Sequence, residues 1–215
     1  MIDWIVENAD RVKSLTILHL TIAVTATLIG LTLAVLVGSV AARRPRLRSL
    51  TLPVSGVLYT IPSLTLFIFI PIILGTKILD PMNIVVALTI YTFSMLYGGV
   101  IEALLSVPDE TLQAAEAMGY SKIRRLIGVE LPIAIPIIGA NLRVAAVSNV
   151  SLVSIGALIG VGGLGDLFTD GFQRNYLIPI FWGIILSVSL AIAIDFILVF
   201  IERLLTPWVK AGEQR

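Results

Sequence analysis

Gln113 to Pro132, QAAEAMGYSKIRRLIGVELP, is the sizeable charge-mixed stretch in the middle of a strongly apolar chain. The runs on either side of it decide the class. The chain has 215 residues, 57% hydrophobic and 13% charged, where a soluble domain carries roughly a quarter charged residues. Mean hydropathy is +1.00. Several runs exceed the ~20 residues a helix needs to cross a bilayer. They are continuous rather than alternating, which excludes a β-barrel. The sequence therefore describes an all-α integral membrane protein, multi-pass, with residues 1–215 forming a single transmembrane domain.

Five spans are predicted, at about 15–41, 50–74, 82–106, 135–159 and 178–204, with a polar loop at about 107–132. Residues 2–13 read as a short interfacial helix with Ile2, Trp4, Ile5 and Val6 on the membrane surface. The apolar run after them is too long for a signal-peptide core and is expected to be a retained span. With the N-terminus outside and the C-terminus inside, Arg43, Arg44, Arg46, Arg48, Lys122, Arg124, Arg125, Arg203, Lys210 and Arg215 fall on the inner side. Only Arg11, Lys13, Lys77 and Arg174 fall outside. That asymmetry is the positive-inside bias, and it puts the opening stretch in the cytoplasm. A net charge of +1 gives no reason to expect nucleic-acid binding, and the absence of cysteine together with a single histidine, His19, argues against a metal centre.

Within the spans, Pro62 is expected to kink the second and free the carbonyl of Leu58, with Thr60 and Ser63 at hand to satisfy the backbone. Tyr91, Ser94, Gly98 and Glu102 form one helical stripe on the third. Asn141 and Asn149 stand out on the fourth. Polar side chains at such depth face helix packing, an interface or a watery path rather than lipid. Tyr91, Ser94, Glu102, Asn141 and Asn149 are therefore candidates for a pathway or an interface. Arg143 and Asp195 fall at similar depth, which makes a buried ion pair between them a candidate. Gly160, Gly162 and Gly165 match G-x-G-x-x-G, but a dinucleotide site needs a flanking strand and helix of a βαβ unit. Here Gly162, Gly163 and Gly165 read as a tight external loop near a gate.

The opening stretch carries its own helix signals. Ser106-Val107-Pro108-Asp109 offers a capping box, Gly119 suits a left-handed stop, and Ser121 can cap a second helix. Ile123, Leu126, Ile127 and Leu131 recur at helical spacing in that second helix. The product is a helix–turn–helix ending at Pro132.

This segment resembles the EAA loop of ABC-importer permeases, whose pattern is E-A-A, three residues, G, nine residues, I-x-L-P. Here Gln113-Ala114-Ala115, Gly119 and Val129-Glu130-Leu131-Pro132 keep both spacings. His19-Leu20, Ile61-Pro62-Ser63-Leu64 and Gly162-Gly163-Leu164-Gly165-Asp166 are similar to the osmoprotectant subfamily, which carries glycine betaine, choline or carnitine. Gly98-Gly99 departs from it, standing where a polar Arg-Asn pair is expected.

The resemblance implies a permease subunit of a type I ABC importer in a bacterial cell membrane, working by alternating access. It implies that Gln113, Ala114, Ala115, Glu116, Gly119, Leu131 and Pro132 couple to a cytoplasmic ATPase dimer. Docking there would use shape, Glu116 and the basic trio Lys122, Arg124 and Arg125. A second permease subunit, the same or related, and an extracytoplasmic substrate-binding protein complete the implied partners. No cofactor is expected on this chain, and ATP and Mg belong to the ATPase; nothing marks the chain itself as an enzyme. Tyr59, Tyr91, Phe93, Tyr97 and Trp182 could guide a cation by residue type alone. The rival readings are a methionine-like permease, an ion-coupled secondary transporter that would depend on Asp195, and a structural membrane adaptor.

Overall fold

The computed structural model describes residues 2–208. Lys210 and Arg215 of the inner basic set lie outside the described residues. The order is α1 (Ile2–Glu7), α2 (Ala9–Ala42), α3 (Pro45–Thr60), α4 (Ser63–Leu74), α5 (Pro81–Leu105), α6 (Asp109–Ala117), α7 (Lys122–Arg125), a π-helical turn (Leu126–Glu130), α8 (Leu131–Ile155), two 3-10 turns (Gly156–Ile159 and Gly163–Gly165), α9 (Asp166–Gln173) and α10 (Leu177–Leu205). Among the described residues there is no strand.

Four helical stretches are long and apolar enough to cross a membrane: α2, α5, the continuous run Lys122–Ile159, and α10. The second predicted span, at about 50–74, is not one helix. α3 and α4 meet at a bend of 104°, so the kink expected at Pro62 is a full break. The Leu58 carbonyl is not left free, because the Ile61 amide donates to it at 3.4 Å. The carbonyl exposed at the break is that of Ile61, and the Tyr91 hydroxyl on α5 donates to it. The first span also departs from expectation. Helix begins at Ala9 rather than residue 15, and the separate N-terminal helix is shortened to Ile2–Glu7.

α5 is the central post. About 61% of its most apolar stretch is buried, against none of α10's. Its start is fixed by Pro81 in the first turn and by the Asp80 carboxylate, which accepts from the Met82 amide at 2.9 Å. α2 lies along it because small residues let the backbones close. A Cβ on Gly30 would come within 2.5 Å of Thr92, and one on Gly38 within 2.9 Å of Val100. Ala26, Ala34 and Ala41 on the same helix are fully buried. Between apolar helices in lipid there is little hydrophobic gain, so such close van der Waals packing and interhelical hydrogen bonds hold the bundle. Against α5 on its other sides lie α3, α4 and α8, and α10 is fastened to the outside of α8.

Candidate functional site

The polar stretch folds as a platform at one end of the bundle. Pro108 takes the N-cap position of α6 without a side-chain bond. Ser106 instead closes α5, its hydroxyl donating to the Ala103 carbonyl, so the expected capping box is not made. α6 ends at Gly119 with φ +81°, in the left-handed region that favours glycine. The Gly119 amide donates to Glu116 O at 2.9 Å and the Tyr120 amide to Ala115 O at 3.1 Å, closing the turn. A Cβ at Gly119 would meet nothing within 4 Å, so conformation rather than crowding requires glycine there. Ser121 caps the second helix as expected, accepting from the Arg124 amide at 3.4 Å.

Charge locks this platform to the bundle. Glu130 closes the π-turn and is only 5% exposed. Arg125 Nε donates to Glu130 Oε1 at 2.8 Å, and Arg43, just beyond α2, donates from Nη2 to the same carboxylate at 3.0 and 3.2 Å. Arg125 also pairs through Nη1 with Glu116 on α6. Arg125 thus bridges Glu116 and Glu130, while the Glu116 side chain stays 61% exposed. Gln113, Ala114 and Gly119 are exposed, Ala115 is buried, and Leu131 and Pro132 are half-buried. The apolar periodicity divides: Leu126 and Leu131 pack into the bundle, while Ile123 and Ile127 remain 72% and 63% exposed, beside Met118 at 69%. Lys122 and Arg124 are exposed next to them.

The opposite end is closed by the glycine loop. Residues 161–165 are all buried, so the loop is tight and packed onto the bundle. At Gly162 a Cβ would come within 2.2 Å of Ala157, at Gly165 within 2.3 Å of Ser154 O, and at Gly163 (φ +49°) within 2.7 Å of His19. His19 is fully buried. Its Nδ1 accepts from the Leu164 amide at 3.2 Å, so Nε2 carries the proton and donates to Val150 O at 2.9 Å. One neutral imidazole thus ties α2, the loop and α8. Beside the loop, burial pushes the Asp166 carboxyl up, against the pull of the Gly162 amide and Arg11.

Between these ends the polar candidates separate. Asn149 is 1% exposed and donates to Thr27 at 2.8 Å and Thr92 at 2.7 Å, joining α2, α5 and α8 inside the bundle. Tyr91 is spent on the α3–α4 break. Ser94 and Gly98, with Ser55, Gly56 and Tyr59 of α3, line an open groove. Glu102 is exposed at the platform end of α5. Asn141 packs on α5 where a Cβ on Gly99 would reach its amide nitrogen at 2.4 Å, which gives Gly99 a steric reason, whereas a Cβ on Gly98 would make only an ordinary contact with Leu52 at 3.7 Å. Arg143 and Asp195 do pair: Nε to Oδ1 at 2.7 Å and Nη2 to Oδ2 at 2.9 Å. The pair is not buried, however, its side chains being 37% and 34% exposed. No local pattern signals the pairing of Arg43 with Glu130, 87 residues apart, or the Thr27 and Thr92 hydroxyls around Asn149.

A membrane bundle with a broken span, a charge-locked platform and a closed far end is built like the transmembrane part of a transporter. The family described as "Binding-protein-dependent transport system inner membrane component" matches residues 17–210, and the chain belongs to it. The chain is similar to the osmoprotectant import permease protein OsmW of Salmonella typhimurium, 31% identical across 96% of this chain and 97% of that protein. It is also similar to the carnitine transport permease protein OpuCB of Listeria monocytogenes, 30% identical across 94% and 91%. The ergothioneine transport permease/ergothioneine binding protein EgtU of Helicobacter pylori is 36% identical across 79% of this chain and 30% of its own length. Among solved structures, an inward-facing MetNI methionine ABC transporter superposes with a TM-score of 0.77 at 23% identity, covering 88% of this chain and 93% of that one, and shares the fold. The protein is thus a membrane permease subunit of an ABC importer, and ATP hydrolysis falls to a separate subunit.

Proposed function

We propose that this permease imports small solutes carrying a trimethylammonium group, with glycine betaine, choline and carnitine as the first candidates. The observation that carries this is the full-length similarity to osmoprotectant and carnitine permeases. Ergothioneine, named for the Helicobacter relative, bears the same group. An extracytoplasmic binding protein would select the solute, so the permease needs only a weakly binding path.

The platform lies in the cytoplasm and docks into the ATPase through Met118, Ile123 and Ile127, with Lys122 and Arg124 at the rim. Exposed apolar side chains ringed by charge suit a protein partner. The Arg43–Glu130–Arg125–Glu116 network makes the platform and the ends of α2 and α8 one rigid piece, so motion of the ATPase is delivered to the spans. A second permease subunit closes the path along the groove of α3 and α5.

The complete transporter, purified with its partners and reconstituted, should take up labelled glycine betaine, choline or carnitine in an ATP-dependent way. Uptake of methionine alone would refute the solute class. Gly119→Val forces a β-branched residue into the left-handed region, at a cost of about 1–2 kcal/mol. Membrane insertion should be normal, with ATPase copurification and uptake reduced at least several-fold. Unchanged copurification and uptake would remove the platform from the coupling path.

A further inference from the structure

The seam between α8 and α10 holds a charge pair that coupling does not use. Arg143 lies twelve residues into α8 and Asp195 ten residues before the end of α10. At 1.5 Å per residue that is about 18 and 15 Å from the platform-side ends, near the middle of a ~30 Å apolar layer. Both side chains are about one-third exposed. Charge facing hydrocarbon at that depth is costly, so the seam opens on water or protein.

Helical geometry says on which side. Around α8, the exposed strip of Ile133, Ile137 and Val144 runs between Asn141, which packs on α5, and Arg143, which faces α10. The buried face, with Ala145, Asn149 and Val153, turns to α2 and α5. The pair therefore sits on the outward side of α8, away from α2, where the α3–α5 groove also opens. The groove beside it is lined by Arg143, Asp195, Phe196, Val199, Phe200 and Arg203.

We propose that this seam is a transit site for a zwitterion, with Arg143 taking its carboxylate and Asp195 its trimethylammonium group. The inference rests on the solute class proposed above and adds to it a place and a charge requirement. Opening the pair for such a solute exchanges one ion pair for two and adds no net charge, so neither side chain is left as an uncompensated charge in the seam. Arg143 Nη1 makes no hydrogen bond among the described residues, so a donor faces the incoming carboxylate before the pair opens. A quaternary ammonium donates no hydrogen bond of its own. It is met by a carboxylate and by aromatic faces, here Asp195 with Phe196 and Phe200. Glu202, packed on Gly139, places a second carboxylate nearer the platform.

The test is binding to the complete transporter in nanodiscs without its binding protein, read by saturation-transfer NMR. Three probes separate the charges: glycine betaine, choline, and 3,3-dimethylbutyrate, which keeps the shape and carboxylate of betaine without the cation. Wild type should favour glycine betaine over either by about tenfold, as a site with matched ionic partners does. Arg143→Gln should erase the preference over choline, and Asp195→Asn the preference over 3,3-dimethylbutyrate. Equal weakening of all three probes, an unchanged order, or no binding to wild type overturns the site. Should Arg143→Gln fail to assemble, Arg143→Lys carries the test. It keeps the charge but loses the forked donors, and should weaken glycine betaine several-fold while sparing choline; equal loss overturns the proposal. Wild-type uptake with the binding protein tests the solute class separately. A transporter that carries no trimethylammonium compound sinks that class, whereas one that carries them with the probe order unaltered by the variants sinks only this seam.

Discussion

The two ends of the bundle are held by different means. At the far end a neutral imidazole, three crowded glycines and buried loop residues close the loop on the bundle, and one surface ion pair, Arg11 to Asp170 at 3.0 Å, ties α9 to the start of α2. At the platform end two guanidiniums converge on one buried carboxylate, and just outside it Met118, Ile123 and Ile127 are left uncovered. The glycine loop is buried within one chain. The platform is rigid inside and unfinished outside, which is what a surface that must transmit force to another protein requires.

The sharpest way to break that contrast is at Glu130. Glu130→Leu leaves Arg43 and Arg125 without their shared counter-charge, a loss of about 3–5 kcal/mol for a broken buried pair. Thermal unfolding in detergent should fall by many degrees and ATPase copurification should disappear; a wild-type melting curve would show the network to be ornamental. Gly163→Val attacks the far end. It drives a Cβ into the His19 backbone from a left-handed φ, with an expected cost of about 1–3 kcal/mol. Its melting temperature should drop while ATPase copurification is retained, and loss of the ATPase would mean the ends are not separable. Asn149→Ala, between the two, removes both threonine bonds for about 0.6–1.7 kcal/mol. Its effect should show as faster hydrogen exchange in α2, α5 and α8 together. Ile127→Ser should change stability by no more than ~0.5 kcal/mol, yet weaken ATPase association measurably in a titration. Intact affinity would place the docking surface elsewhere.

The membrane class and the helix–turn–helix of the platform were legible because each depends on neighbours in sequence. Apolar runs, Gly119 and Ser121 are all local signals. The Arg143–Asp195 pair was legible for a different reason, since depth along a helix can be counted. What escaped was pairwise across distance. At the break beside Pro62, where the chain bends by 104°, a tyrosine 30 residues away takes the Ile61 carbonyl, and no local pattern states that. Glu130 sits inside the permease motif but looks like an ordinary surface acid until Arg43 is brought to it. Asn149 looked like a pathway or interface residue because polarity in a span was visible and the threonines it donates to were not. The glycine loop read as tight from its spacing, but that spacing says nothing of His19 lying beneath it.

The π-turn at Leu126–Glu130 sets an angular phase. One residue more than an α-turn needs is wound in between the platform and α8, and each residue of an α-helix is worth about 100° around the axis. Removing Gly128 would let the stretch relax into plain α-helix and swing the whole platform by about that angle relative to α8. Arg125 would then no longer face Glu130, and the exposed isoleucines would point along a different bearing. The bearing of the platform on α8 is thus set by a single extra residue, like a key cut one notch over.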